Sequence, residues 1–186
     1  HMLNPQQMSC PRRVYLETDP GIPQIRMEAG EKKTIELVDG HTHHFTWAQN
    51  IGQPDCRLPP THLGYRISRQ PVITDFWRTG ADGGAGGRFT TVARWRKLKK
   101  KTVELEGDVY HWDKDREFMK YLDLPGRSGA DFELALAQVG PEDQATLRNA
   151  GWGIADAVVL SSTLDSYRAY IQSSRAEFTI AKDQYA

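Results

Sequence analysis

Apolar and polar residues follow two different periods along the second half of the chain. Short runs rich in Val, Thr, Phe and Leu favour strands. Segments that open with an acidic residue, a threonine or a proline, and then space their apolar residues three or four positions apart, favour helices. These patterns predict strands over 88–95, 131–139 and 178–181, helices over 113–124, 141–149 and 163–177, a hairpin within 98–112, and a strand or loop over 153–162.

This alternation of strands and helices predicts an α/β fold with a Rossmann-like parallel sheet flanked by helices. In such sheets ligands bind beyond the carboxyl ends of the strands. In this chain those ends are expected near residues 93–96, 137–140 and 181–184. The pattern therefore places a binding site at one edge of the sheet without naming its ligand.

The first half of the chain is less regular. An apolar run at residues 14–16 predicts a buried strand that closes at the turn signal Asp19-Pro20-Gly21. A second strand is predicted over 43–50, and the stretch between the two strands is interpreted only as polar. Residues 53–77 carry four of the ten prolines and predict an extended linker.

Composition divides the chain into domains. Five glycines fall between residues 80 and 87, which indicates a boundary or a loop. Because this glycine-rich stretch precedes a strand rather than a helix, a linker is favoured over a phosphate-binding loop. The predicted division is 1–77, then a Gly-rich loop at 78–87, then a Rossmann-like domain at 88–186.

Charge and cysteine content exclude several classes of partner. Lys plus Arg and Asp plus Glu number 24 each, so the formal net charge is zero and nothing points to nucleic acid. No apolar run approaches the roughly 18 residues of a membrane span. Cys10 and Cys56 favour reduced thiols in a cytoplasmic protein over a single disulfide. The His41–His44 cluster favours a surface turn over a metal site, so no metal or cofactor is predicted.

Several short motifs, taken in order, carry a resemblance to a known family. They are VYLETDPGIPQI, FTWAQNIGQPDC, RQPVITDFW, RFTTVARWR, FMKYLDLP, FELALA, AGWGIADA and YRAYIQSSRAEFTIAKDQY. In this order they resemble the middle of a family of bacterial glycosyltransferases of the two-Rossmann (GT-B) type, over roughly Val14 to Tyr185. The resemblance implies an internal fragment: the end of an acceptor-side domain with its linker, and the first half of a donor-side domain.

The resemblance also implies roles for particular residues. A nucleotide-sugar donor needs cations for its diphosphate, which assigns donor binding to Arg94, Arg96 and Lys182. Glu177 is assigned to the donor's hydroxyl groups. Asp19, in the acidic stretch that begins at Glu17, is assigned as the catalytic base. Each assignment has a plainer alternative: a solvated basic run for the arginines, an exposed helix-end carboxylate for Glu177, and a turn residue for Asp19.

Two functions follow as hypotheses. The first is a glycosyltransferase-like protein that transfers a sugar from a nucleotide-sugar to an unknown acceptor in its complete form, with this chain inactive alone. The alternative is a non-catalytic α/β binding or interaction module. Exposed strand edges also predict a homodimer.

Overall fold

The computed structural model describes residues 3–59, 61–78, 87–96, 102–105, 107–111 and 113–182. These residues form two compact units. Unit 1 contains the described parts of 1–72 and 103–109, and unit 2 contains the described parts of 73–102 and 110–183. The basic run at 97–101, most of the predicted Gly-rich loop at 78–87, and the strand end at 183–184 lie outside the described residues.

Unit 1 is built on three parallel strands. Its elements in chain order are α1 (Pro5–Met8), β1 (Val14–Glu17), α2 (Ile22–Glu28), α3 (Lys32–Asp39), β2 (His43–Thr46) and β3 (Arg66–Ile67). The strand order is β1-β2-β3, and Glu17, Thr46 and Ile67 share one register position at the carboxyl edge. The predicted strands near residues 14–16 and 43–50 are therefore present, the second of them shorter than predicted.

Two helices occupy the stretch between β1 and β2, which the sequence analysis left as polar. Ile22 and Ile25 on α2 and Val38 on α3 are buried, at 5%, 4% and 0% exposure. The segments are short, and many of their other positions are charged. The helices are only seven and eight residues long, so each offers about two turns of pattern from which a helix could be predicted.

Unit 2 is built on four parallel strands in the order β8-β7-β4-β9. The remaining elements in chain order are α4 (Thr74–Trp77), β4 (Phe89–Arg94), β5 (Thr102–Leu105), β6 (Asp108–His111), α5 (Asp115–Met119), α6 (Leu124–Ser128), β7 (Phe132–Ala137), α7 (Pro141–Asn149), β8 (Gly153–Asp156), α8 (Ala157–Leu160), α9 (Leu164–Ser173) and β9 (Ala176–Glu177). β5 and β6 pair with each other as the predicted hairpin, whose described residues within 103–109 belong to unit 1. The predicted α/β fold with a parallel sheet flanked by helices is confirmed.

Two predicted elements of unit 2 are wrong in detail. The last strand is Ala176–Glu177 rather than 178–181, although the Phe178 N–H still donates to the Thr90 carbonyl oxygen at 3.1 Å. The Phe178 and Ile180 side chains pack against the hydrophobic core. The predicted helix over 113–124 is only α5 (Asp115–Met119), and a second helix, α6, begins at Leu124, where the first was predicted to stop. Pro125 stands in the first turn of α6, where its fixed φ fits and its missing N–H is not needed.

The core of unit 2 is aromatic and lies beside the sheet. Phe132 packs against Trp152 and Phe178 with ring centroids 5.4 and 5.2 Å away. Trp95 is fully buried and donates from Nε1 to Asp143 Oδ2 at 2.7 Å. The indole donor of this buried side chain is therefore satisfied, as burial requires. Within the described ranges, no helix has the length and apolar character needed to cross a membrane.

Candidate functional site

The carboxyl edge of the unit 1 sheet holds a buried carboxylate. Glu17, the last residue of β1, is only 2% exposed. Its two oxygens each accept from Gln24 Nε2 at 2.8 Å, and Oε2 also accepts from the Thr46 hydroxyl at 2.9 Å. Gln24 and Thr46 are themselves 0% exposed. The edge of this sheet is thus filled by side chains that satisfy one another.

Burial changes the titration of this region. Removal from water raises the pKa of Glu17, and the Asp19 carboxylate raises it further, whereas the hydrogen bonds from Thr46 and Gln24 oppose the shift. Burial, with a smaller contribution from the Glu17 charge, also raises the pKa of Tyr15 to about 12. Both groups therefore favour their protonated forms more than they would in water.

A second polar group of unit 1 lies at the wall of a pocket of about 270 Å³. His62 lines this pocket, and its Nε2 is 3.0 Å from Asp39 Oδ1. Both side chains reach solvent, with 62% of His62 and 43% of Asp39 exposed. The other walls come from α2, α3 and the residue before His62: Gln24, Met27, Glu28, Ile35 and Thr61.

The His62–Asp39 pair has the geometry of a general base with an orienting acid. In the neutral imidazole, a carboxylate that accepts at Nε2 favours the tautomer with the proton on Nε2 and the lone pair on Nδ1. Within the described part of the chain no hydrogen bond reaches Nδ1. An imidazole held in this way can take a proton from a hydroxyl group or from water.

Other histidines of unit 1 are held differently. His41 Nδ1 lies 2.8 Å from the Leu37 carbonyl oxygen, and His44 Nε2 lies 2.9 Å from that of Val38. His43 Nδ1 lies 2.8 Å from the Thr42 hydroxyl. These contacts fix the rings to the adjacent backbone or side chain. Among the described residues there is no group of three or more His, Cys, Asp or Glu side chains that could hold a metal ion.

The carboxyl edge of the unit 2 sheet is open where that of unit 1 is filled. Beyond the ends of β7 and β8 lies a pocket of about 310 Å³. Its polar walls are Gln138, Gln144, Arg148 and Asp156, and its apolar walls include Leu136, Val139, Ile154 and Val158. Gln138 has φ +60°, in the left-handed region that non-glycine residues seldom adopt. This pocket falls at 137–140, one of the strand ends predicted to form the ligand crevice.

The predicted arginines lie at the end of β4 and just beyond it. Arg94 is the last residue of β4 and is exposed. Arg96 Nε donates to Asp115 Oδ2 at 2.6 Å, and Arg96 Nη1 lies 3.0 Å from Asp143 Oδ2. The hydrogen bond with Asp115 raises the pKa of Arg96. The guanidinium of Arg96 is therefore engaged with two carboxylates of its own unit.

Glu177 and Lys182 both act on a third residue, Lys114. Burial lowers the pKa of Lys114, the Lys182 charge lowers it further, and Glu177 opposes the change. Lys114 Nζ donates to the Thr179 hydroxyl at 3.3 Å. Glu177 lies beside Thr90, in the amino half of β4, rather than at the carboxyl edge. The fold thus brings Glu177 and Lys182 to one neighbourhood, but not to the open pocket.

Asp19 follows β1 in unit 1 and is exposed, and its charge acts on the buried Glu17. The structure does not test the roles predicted for Asp19, Arg94, Arg96, Glu177 and Lys182, and these roles stay predictions. The sequence did not predict the His62–Asp39 pair, nor Gln144, Arg148 and Asp156 of the open pocket. Its one available signal was the position of Gln138 directly after an apolar strand.

Comparison with known proteins finds a similarity to a protein that is not named as a glycosyltransferase. The chain is 33% identical over 97 residues to a GDSL lipase of Mycobacterium tuberculosis. The matched stretch is 50% of this chain and 40% of the lipase, so less than half of that protein is represented. No protein-family model matches the chain, and no solved structure matches it.

The glycosyltransferase resemblance is therefore wrong. The protein that the chain matches is named as a lipase and not as a transferase of nucleotide-linked sugars. The expectation of a transferase fragment that lacks its donor-binding half is overturned with it. The motifs behind the resemblance are mostly strands and helix starts of an ordinary α/β fold, and a fold of this class serves many unrelated reactions.

Proposed function

We propose that this protein is a hydrolase of carboxylic esters that uses the His62–Asp39 pair of unit 1 as its general base. One observation carries the proposal: an imidazole oriented by a carboxylate at 3.0 Å stands at the wall of a pocket of about 270 Å³. The similarity to a protein named as a lipase supports the carboxylic ester as the bond that is cleaved.

The chemistry needs one proton acceptor and one nucleophile. His62 Nδ1 takes a proton from a water molecule, and the water oxygen attacks the carbonyl carbon of the ester. Asp39 accepts from Nε2–H, which orients the ring and stabilises the imidazolium as it forms. The tetrahedral intermediate then expels the alkoxide, which takes the proton back from His62. The products are a carboxylic acid and an alcohol.

The pocket walls suit such a substrate. Met27 and Ile35 offer an apolar surface for an acyl chain, as is usual for small-molecule pockets. Among the described residues, the Thr61 hydroxyl makes one long hydrogen bond of 3.4 Å, to the Leu63 carbonyl oxygen. Thr61 is therefore assigned as a donor to the developing oxyanion.

The proposal takes from the lipase only the type of bond that is cleaved. The chain does not contain the tetrapeptide Gly-Asp-Ser-Leu, and the proposal assigns the attack to water rather than to a serine. The homodimer predicted from exposed strand edges stays a prediction.

The test is turnover of p-nitrophenyl acetate and p-nitrophenyl butyrate by the purified chain. General-base catalysis contributes about 100-fold or more, so His62→Gln should lower kcat/KM by about that factor. Asp39→Asn should lower kcat with little change in KM, because Asp39 orients the base and does not touch the substrate.

His43→Gln is the matched control, since imidazoles on a protein surface hydrolyse activated esters slowly without any site. This variant removes a histidine of the same unit that lies on β2 rather than at the pocket wall. The proposal fails if His62→Gln and His43→Gln lose the same fraction of activity. It also fails if the chain hydrolyses neither ester faster than buffer does.

A further inference from the structure

The geometry points to a second site, in unit 2: a binding site for a small organic anion that also carries a hydroxyl group, formed by Arg148, Gln138, Gln144 and Asp156. These side chains line the pocket of about 310 Å³ beyond the carboxyl ends of β7 and β8. Parallel sheets bind ligands at this edge. The inference does not depend on the proposed ester hydrolysis, because all of its residues belong to the other unit.

Arg148 provides the charge that an anion needs. It lies in the last turn of α7 and is exposed at the pocket. Its guanidinium makes no hydrogen bond or ion pair with any residue in the described ranges. By contrast, Arg96 on the same unit is held by Asp115 and Asp143. Arg148 is therefore available for the two parallel hydrogen bonds that guanidinium makes with carboxylate or phosphate.

Two side-chain amides supply further donors beside Arg148. Gln144 Nε2 is only 3.5 Å from the Val139 carbonyl oxygen, which leaves its amide weakly engaged. Gln138 lines the same pocket with its backbone at φ +60°. Such a conformation costs free energy for glutamine, and backbone outliers of this kind cluster at binding sites. The strained residue here stands at the strand end where a ligand is expected.

Asp156 restricts the class of anion. Its Oδ1 accepts from the backbone N–H groups of Val158 and Val159 at 2.8 and 3.2 Å, at the start of α8. These bonds offset part of its negative charge, so an anion bound at Arg148 is less strongly repelled. Its other oxygen can accept from a ligand hydroxyl. A hydroxyl-bearing anion satisfies both ends of the pocket, whereas a simple anion satisfies only one.

The chemical source of the anionic group is a carboxylate or a phosphate monoester, and titration distinguishes them. Glycerate and glycerol 3-phosphate are the probes, with succinate as an anion that lacks a hydroxyl and glycerol as a hydroxyl compound that lacks an anion. The dissociation constants are measured on the 186-residue chain by calorimetry and by amide NMR shifts. Of the two hydroxylated anions, the one that binds more tightly should have a dissociation constant at least tenfold lower than that of glycerol. It should also bind more tightly than succinate.

Variants locate the binding. Arg148→Gln should weaken the better probe at least tenfold, since charge-assisted hydrogen bonds are among the strongest in binding. Arg127→Gln is the control, because it removes the same charge from an exposed helix of the same unit, where Arg127 pairs with Asp123 at 3.8 Å. It should leave the affinity within twofold of the parent chain.

Gln138→Gly keeps the left-handed backbone and removes one amide, so it should weaken binding by a smaller factor of about threefold. The inference is overturned if Arg148→Gln and Arg127→Gln weaken binding equally, which would indicate nonspecific attraction. It is overturned as well if both hydroxylated anions bind no better than glycerol.

Discussion

The carboxyl edges of the two parallel sheets differ in whether their polar side chains are hydrogen-bonded within the protein. In unit 1 the edge is closed by Glu17, Gln24 and Thr46, which are buried and hydrogen-bonded to one another. In unit 2 the corresponding edge opens into a pocket whose guanidinium, on Arg148, has no partner among the described residues. A polar residue at a strand end therefore indicates a ligand only when the fold has left its hydrogen bonds unmade.

The largest expected effect compares a buried threonine of each sheet. The Thr46 hydroxyl donates to the Glu17 carboxylate at 2.9 Å and accepts from Ala48 N–H at 3.0 Å. The Thr90 hydroxyl donates to the neutral Ser174 hydroxyl at 2.8 Å. Valine keeps the branched shape and removes only the hydroxyl. We expect Thr46→Val to lower the free energy of unfolding by about 1.5–3 kcal/mol, and Thr90→Val by about 0.5–1.5 kcal/mol, because bonds to charged groups contribute more.

Urea unfolding of both variants, followed by fluorescence, measures the two losses. Thr90→Val could lower the free energy of unfolding as much as Thr46→Val does. In that case the hydrogen bond to the Glu17 carboxylate contributes no more to stability than the hydrogen bond between two neutral hydroxyls. The comparison of the two edges would then lose its energetic basis.

The second prediction concerns pH and isolates the buried carboxylate. Burial raises the pKa of Glu17 above its ordinary value of 4.5. The folded state then binds the proton more tightly than the unfolded state does. The contribution of Glu17 to stability is therefore full below the unfolded pKa and is lost as pH rises through the raised folded pKa.

Glu17→Gln removes this ionisation and leaves an amide of the same shape. The difference in unfolding free energy between Glu17→Gln and the parent chain should move in favour of the variant as pH rises from 4.5 to 7. Glu36→Gln changes an exposed carboxylate on α3 and serves as the control. A Glu17→Gln difference that stays constant across these pH values contradicts the interpretation.

The sequence predicted the architecture of unit 2 far better than its chemistry. Strands rich in Val, Thr and Leu alternate there with amphipathic helices, so the parallel sheet and the strand end near Gln138 follow from local pattern. The absence of a partner for Arg148 among the described residues could not be predicted from the sequence, because it depends on which carboxylates the fold brings within reach. Arg96 looked equally available in sequence, yet two aspartates of its own unit hold it.

Unit 1 was harder to predict for a different reason. Its helices α2 and α3 are only seven and eight residues long, so each offers about two turns of periodic pattern in the sequence. Asp39 and His62 are separated by 23 positions, and only the path of the intervening chain brings them to 3.0 Å. The family resemblance failed because motif order in an α/β chain reports fold more than reaction.

The smallest expected effect tests whether the open edge of unit 2 carries strain for the sake of binding. Gln138 is the non-glycine residue with positive φ in the described ranges, at +60°.

Gln138→Gly removes the steric conflict of the left-handed backbone, which costs about 1–2 kcal/mol for a residue with Cβ. It also loses about 0.5–1 kcal/mol, because glycine has greater conformational freedom in the unfolded state. We expect a net gain of about 0.5–1 kcal/mol in unfolding free energy from those two values, measured by urea unfolding without ligand. A loss of stability in Gln138→Gly would mean that the Gln138 side chain supports the fold, and the strained position would no longer be an argument for a site.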